Sequence, residues 1–191
     1  MKKFLVLAGL AAALAVPSLA ATSTWNLDPM HSNAQFSVRH LGISNVQGEF
    51  TKVGGTVVID DTDITKSTVE ATIDATSVDT RVSRRDDDLK SDGFFNVAQF
   101  PTITFKSTSV EKAGDGKLKV TGDLTIKGVT KSVVLAVTGP TAPISAMGSQ
   151  RRGLSASTTI NRTDFGVSKD PAPMIGNDIS IQIDCEMTPA K

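Results

Sequence analysis

Lys117-Leu118-Lys119-Val120-Thr121-Gly122-Asp123-Leu124-Thr125-Ile126-Lys127 decides the fold class. Leu118, Val120, Gly122, Leu124 and Ile126 share one face while lysine, threonine and aspartate fill the other, the period of two of a half-buried strand. A helix would scatter these apolar residues around its circumference. Turn residues bracket the stretch, Ala113-Gly114-Asp115-Gly116 before it and Gly128 after it, so both neighbours are expected to pair with it antiparallel.

The same rhythm extends in both directions. Downstream come Val133, Leu135 and Val137, a loop from Gly139-Pro140 to about Gly148, and then Leu154, Ala156, Thr158 and Ile160. A polar bend at Asn161-Arg162-Thr163-Asp164 with Phe165-Gly166 behind it leads to a closing strand, whose Ile179, Ile181, Ile183, Cys185 and Met187 face inward. Upstream lie Ile103 with Phe105, then Val69, Ala71 and Ile73, then Val57 and Ile59 beyond Gly54-Gly55, a pair that reads as a bulge or sharp bend. Val46 to Phe50 forms a further strand piece, preceded by a turn at Leu41 to Asn45. Before that turn Ala34, Phe36, Val38 and His40 share a face, and Thr22 to Asp28 is a lead-in strand. About eight long alternating segments joined by Gly, Pro and Asp turns predict an all-β domain, an antiparallel eight-stranded barrel. A closed sheet is favoured over a sandwich because strands near ten residues long would otherwise leave a regular edge exposed.

One stretch breaks the pattern: RRDDDLKSDGFFNVAQFPTITF, Arg84 to Phe105. Asp86, Asp87 and Asp88 suit the positive end of a helix macrodipole and Gly93 suits its stop, which predicts a short helical insertion around residues 84–95. Phe94, Phe95, Phe100 and Phe105, half of the chain's eight phenylalanines, fall in this stretch. They either plug the end of a filled barrel or line and gate an apolar cavity, and periodicity does not separate the two.

The first twenty residues have a basic start at Lys2-Lys3, an apolar run from Phe4 to Val16 and a small-residue exit at Ser18-Leu19-Ala20, the pattern of a cleavable signal peptide. Cleavage after Ala20 predicts a periplasmic, secreted protein. Removing twenty residues from 191 leaves 171, a single domain over residues 21–191; losing Lys2 and Lys3 leaves 18 basic against 20 acidic side chains. That balance offers no footprint for nucleic acid. A lone cysteine, Cys185, excludes an intrachain disulfide, so packing alone must stabilise the fold.

Catalytic groups are sparse. His31 and His40 are the only histidines and sit in no zinc or nucleophile motif; His40 shares parity with Phe36 and Val38, and His31 follows Asp-Pro-Met in a turn it can cap. Cys185, between Ile183 and Met187 on the inward parity, reads as a small buried hydrophobe. Asp60-Asp61-Thr62-Asp63 lacks the glycine and distal glutamate of a calcium loop. No enzyme, metal or cofactor is expected.

Four patches resemble one family: Trp25-Asn26-Leu27-Asp28 with His31-Ser32 and Phe36-Ser37-Val38-Arg39-His40; DDDLKSDGFFNVAQFPTITF; Gly122 to Thr130; and Asn161-Arg162-Thr163-Asp164-Phe165-Gly166. Together they are similar to the YceI-like family of bacterial polyisoprenoid-binding proteins, over about Trp25 to Met187. The resemblance implies a lipocalin-like barrel with an apolar channel for an isoprenoid tail, that of a polyprenyl phosphate or a respiratory quinone. It also implies binding, transport or storage without chemistry; a fatty acid, fatty amide or lipophilic antibiotic is the alternative ligand. Parity and the motifs give the expected wall: Phe36, Val38, Phe50, Ala71 and Ile73 from the first half, then Ile103, Phe105, Leu118, Val120 and Leu124. Leu135, Phe165 and Ile181 complete it with Phe94, Phe95 and Phe100. His31, His40, Arg84, Arg85 and Arg162 are the polar groups expected near a mouth, where a head group would be oriented. Each buried methylene contributes ~0.8 kcal/mol, so a single isoprene unit contributes about 3 kcal/mol and the tail dominates affinity. Transient contact with a membrane or a membrane lipid donor, and pairing of two chains, stay open.

Overall fold

The computed structural model describes residues 22–190, and the signal segment expected over residues 1–20 lies outside the described residues. The chain forms β1 (Thr22–Leu27), β2 (Asn33–His40), β3 (Ser44–Phe50), β4 (Val53–Asp60), β5 (Thr68–Asp74), β6 (Val78–Asp79), α1 (Ser83–Lys90) and β7 (Thr102–Gly114). The second half is β8 (Lys117–Ile126), β9 (Val129–Thr138), β10 (Ile144–Ala146), β11 (Ser149–Asn161) and β12 (Ile175–Pro189).

Eight of these strands close an antiparallel ring in the order β1, β4, β5, β7, β8, β9, β11, β12, sealed by β12 against β1. β12 carries two partners end to end along one edge. Trp25 to Leu27 of β1 face Pro189 to Met187, and β2 takes the remainder from Asn33 opposite Asp184 to His40 opposite Ile175. β3 and β6 pair onward from β2, so the sheet forks at mid-height. Beyond β6 come α1 and residues 91–101, leading to β7 on the far side of the fork. This end of the barrel, with the turns at 41–43, 127–128 and 162–175, is called the helix end below. The turns at 61–67, 115–116 and 139–143 form the far end.

Two local expectations change. α1 stops at Lys90 rather than at Gly93, because the Ser91 amide turns back to the Asp88 carbonyl at 3.1 Å and its hydroxyl joins at 2.6 Å. Its start is fixed by Asp86, whose carboxylate accepts from the Thr80 amide at 2.8 Å and hydroxyl at 2.6 Å. Gly54-Gly55 makes no bend: β4 runs unbroken from Val53 to Asp60. Gly55 holds φ 154° against β5, and a Cβ there would collide with the Glu70 carbonyl and the Ala71 Cα, so close strand approach is what requires the glycine.

The parity read from the sequence is the parity of the barrel. Val120, Ile126, Val137, Ala156, Ile160, Cys185 and Met187 are buried, whereas Phe36, Val38, Leu118, Leu124, Leu135 and Ile181 point inward yet stay only half-buried. Inward side chains in a filled core would be sealed. These face interior space.

Candidate functional site

A largely apolar cavity of about 240 Å³ runs through the barrel, lined from Leu27, Val57 and Ile64 toward the far end to Phe94, Phe95, Phe165 and Ile175 at the helix end. An apolar void of ~150 Å³ already stays dry and takes up benzene, so this one is large enough for a flexible hydrocarbon chain. Of the expected wall, Phe36, Val38, Phe50, Ala71, Ile73, Ile103, Phe105, Leu118, Val120, Leu124, Leu135, Phe165 and Ile181 line it, as do Phe94 and Phe95. Phe50 stands edge-on to Phe95 at 5.5 Å and tilted to Phe36 at 5.8 Å, so β2, β3 and the insertion meet through aromatic contacts.

Phe100 does not reach the wall. Its ring lies over Gly128, where a Cβ would come within 2.6 Å, and it packs the insertion onto the β8–β9 turn instead. Lys127 fastens the same region, donating to the carbonyls of Asp92 at 2.8 Å and Gly166 at 3.1 Å.

The expected polar mouth is not assembled. His40 is exposed at the end of β2, and Arg84 is exposed on α1. Arg85 is turned to Thr80, with Nε on the hydroxyl at 2.8 Å and Nη2 on the carbonyl at 2.9 Å. His31 lies at the β1–β2 turn, its Nδ1 3.1 Å from Asp28, beside Arg151, which donates to Asp28 at 2.7 Å and Glu186 at 3.3 Å. Asp28, His31 and Glu186 bring ligand atoms within 4.8 Å of one another, but the Arg151 guanidinium already supplies the cation there. That guanidinium, then His31, holds the Asp28 carboxyl well below the usual carboxylate range.

Arg162 alone of the five lines the cavity, and it is 3% exposed. Nε donates to the Gly176 carbonyl at 3.0 Å, Nη1 to Val167 at 3.1 Å and Ser168 at 2.9 Å, and Nη2 to Asp170 at 2.7 Å and Ile175 at 2.8 Å. All five guanidinium protons are committed to the loop it wraps, so none is free for a head group. The sequence also hides Arg152, 8% exposed, with its guanidinium carbon 5.1 Å from the Trp25 ring and Nη2 2.7 Å from Asp61. Its parity with Leu154 and Ala156 is the signal that marks it: a charge on the apolar face. Cys185 also lines the cavity, where burial pushes its thiol up to about 11.

The YceI-like domain model matches residues 25–187. A UPF0312 protein of Shewanella denitrificans is 37% identical over 179 residues, covering 93% of this chain and 94% of its own. One of Vibrio vulnificus is 35% identical over 189 residues, covering 98% and 96%. The Campylobacter jejuni YCEI protein superposes with TM-score 0.72 at 31% identity, over 80% of this chain and 90% of its own. A polyisoprenoid binding domain from Saccharophagus degradans shares the fold, with TM-score 0.65 at 16% identity over 87% and 98%. A matching domain over Trp25 to Met187, full-length relatives and a forked eight-strand ring agree: this chain belongs to the YceI-like family.

Proposed function

We propose that the barrel binds a long-chain isoprenoid lipid, polyprenyl phosphate or isoprenoid quinone, with the tail in the cavity, and carries or stores it in the periplasm without reacting with it. The observation that carries this reading is the cavity itself: a largely apolar space inside the barrel, into which half-buried inward side chains face. Burial of a few isoprene units at about 3 kcal/mol each supports tail-driven affinity. The related fold of the Saccharophagus degradans polyisoprenoid binding domain supports the ligand class. Against turnover stands the placement of the reactive groups. His31 and His40 do not line the cavity, and Cys185 is held as the neutral thiol at neutral pH.

Native mass spectrometry of protein purified from its own host, followed by lipid extraction, tests the reading. A retained mass that extracts as a prenyl lipid is expected. A fatty acid or fatty amide would move the assignment to another amphiphile, and a bare chain that also takes up no added prenyl lipid would refute it.

A further inference from the structure

The geometry points to the β2–β3 turn at Leu41 and Ile43, with Met174 beside it, as a docking tip for an anionic lipid bilayer surface; this rests on the lipid-carrier reading above. Leu41, Ile43 and Met174 are 52%, 76% and 50% exposed. The Leu41 amide donates to the Met174 carbonyl at 3.0 Å, so turn and loop form one apolar knob.

Turn chemistry does not explain the leucine. Leu41 and Gly42 take φ 50° and 71°, and the Ile43 amide closes on the His40 carbonyl at 3.1 Å, the type I′ pattern. Asn-Gly is the favoured pair at such a turn, and an exposed leucine there costs backbone strain. A local rule broken at an exposed position marks a functional demand.

Charge and continuity identify the partner. Residues 39–47 and 171–177 carry Arg39 and His40 and no carboxylate; the flanking acids are Asp170, tied to the Ser168 hydroxyl at 2.6 Å, and Asp178. Exposed apolar side chains beside the Arg39 cation, with no carboxylate among these residues, suit the headgroup boundary of an anionic membrane. Val38 and Ile175 line the cavity, Val38 lies two residues before His40 on β2, and Ile175 pairs with His40 and follows Met174. The apolar wall thus continues to the knob, and a tail moving between bilayer and cavity would stay out of water. The far end has its own exposed apolar hairpin, with Ile144 and Met147 60% and 85% exposed, but the cation opposite Ile144, Arg151, is spent on Asp28 and Glu186.

The test is flotation of the purified protein with phosphatidylethanolamine–phosphatidylglycerol vesicles, paired with uptake of a fluorescent geranylgeranyl probe from those vesicles and from dilute detergent. Leu41→Asn with Ile43→Ser should lower vesicle affinity at least about tenfold and slow uptake from vesicles in step. Uptake from detergent and the melting temperature should hold, since Asn suits φ 50°. Wild-type vesicle affinity in this variant would overturn the proposal. So would an equal loss only in Ile144→Ser with Met147→Asn, or a change in self-association with vesicle affinity intact, which would make the knob a contact between copies. If wild type floats through the knob but takes up no probe from either source, docking stands and the carrier reading fails.

Discussion

Arg162 and Ile175 are joined by a 2.8 Å hydrogen bond from Nη2 to the carbonyl, which ties the end of β11 to the first residue of β12. Arg162→Met would leave this carbonyl and those of Val167, Ser168, Asp170 and Gly176 without their donor. Unpaired buried acceptors cost about 1–3 kcal/mol each before water relieves some of them, so a loss of at least about 3 kcal/mol is expected. Arg162→Lys should rescue little, because three donors on a compact ammonium cannot serve five carbonyls. Denaturant midpoints measure both variants, and a lysine variant near wild type would show that charge alone holds the loop.

Ala71 and Ala156 both line the cavity, but Ala156 is buried among Val110, Val120 and Val137 while Ala71 is half-buried. Ala71→Phe should therefore extend into empty volume, weakening prenyl-lipid binding at least about tenfold while shifting stability by under about 1 kcal/mol. Ala156→Phe meets packed neighbours and should cost about 1–3 kcal/mol. Unchanged lipid binding with lowered stability at Ala71 would identify the interior as a packed core.

Cys185 is 7% exposed, with its thiol pushed up to about 11 by burial. Three pH units below that value roughly one thiol in a thousand is ionised. A bulky maleimide at pH 8 should label the native protein far more slowly than the denatured one. Rapid native labelling would mean that the register of β12 is wrong.

The pH dependence follows from Asp28, whose carboxyl is lowered from 3.8 by Arg151 first and His31 second. A group lowered in the folded state contributes stability that is complete above its unfolded value and disappears as pH falls through its folded value. Stability should therefore be level above about pH 5 and decline from about pH 4 downward. Asp60, Asp63 and Asp74, held low by neighbouring threonines, add to the same slope. Arg151→Met should flatten the decline; equal acid slopes for the variant and wild type would exclude the pair as its source.

Parity carried most of the fold. Leu118 to Ile126 could be placed inside from the alternation alone, and most of the cavity wall follows by extending that rule. The fork was hidden, because β1 and β2 look like successive strands and only their shared register on β12 makes them one broken edge. Gly54-Gly55 reads as a bulge or bend because a single sequence shows that glycine is needed, not which neighbour needs it. Arg162 reads as a mouth residue from sequence because it sits in the polar bend Asn161 to Asp164. Its five carbonyl partners are backbone atoms, which leave no trace in side-chain identity.

Ring closure through β1 and β12 has a consequence for the time order of folding. Trp25 faces Pro189, so the first described strand finds its partner in the last one. A growing chain therefore cannot complete the barrel until β12 has been made, and contacts this distant in sequence slow the search. Until then β1 and β11 each expose an unpaired edge, which places the greatest risk of misassembly in the incomplete chain.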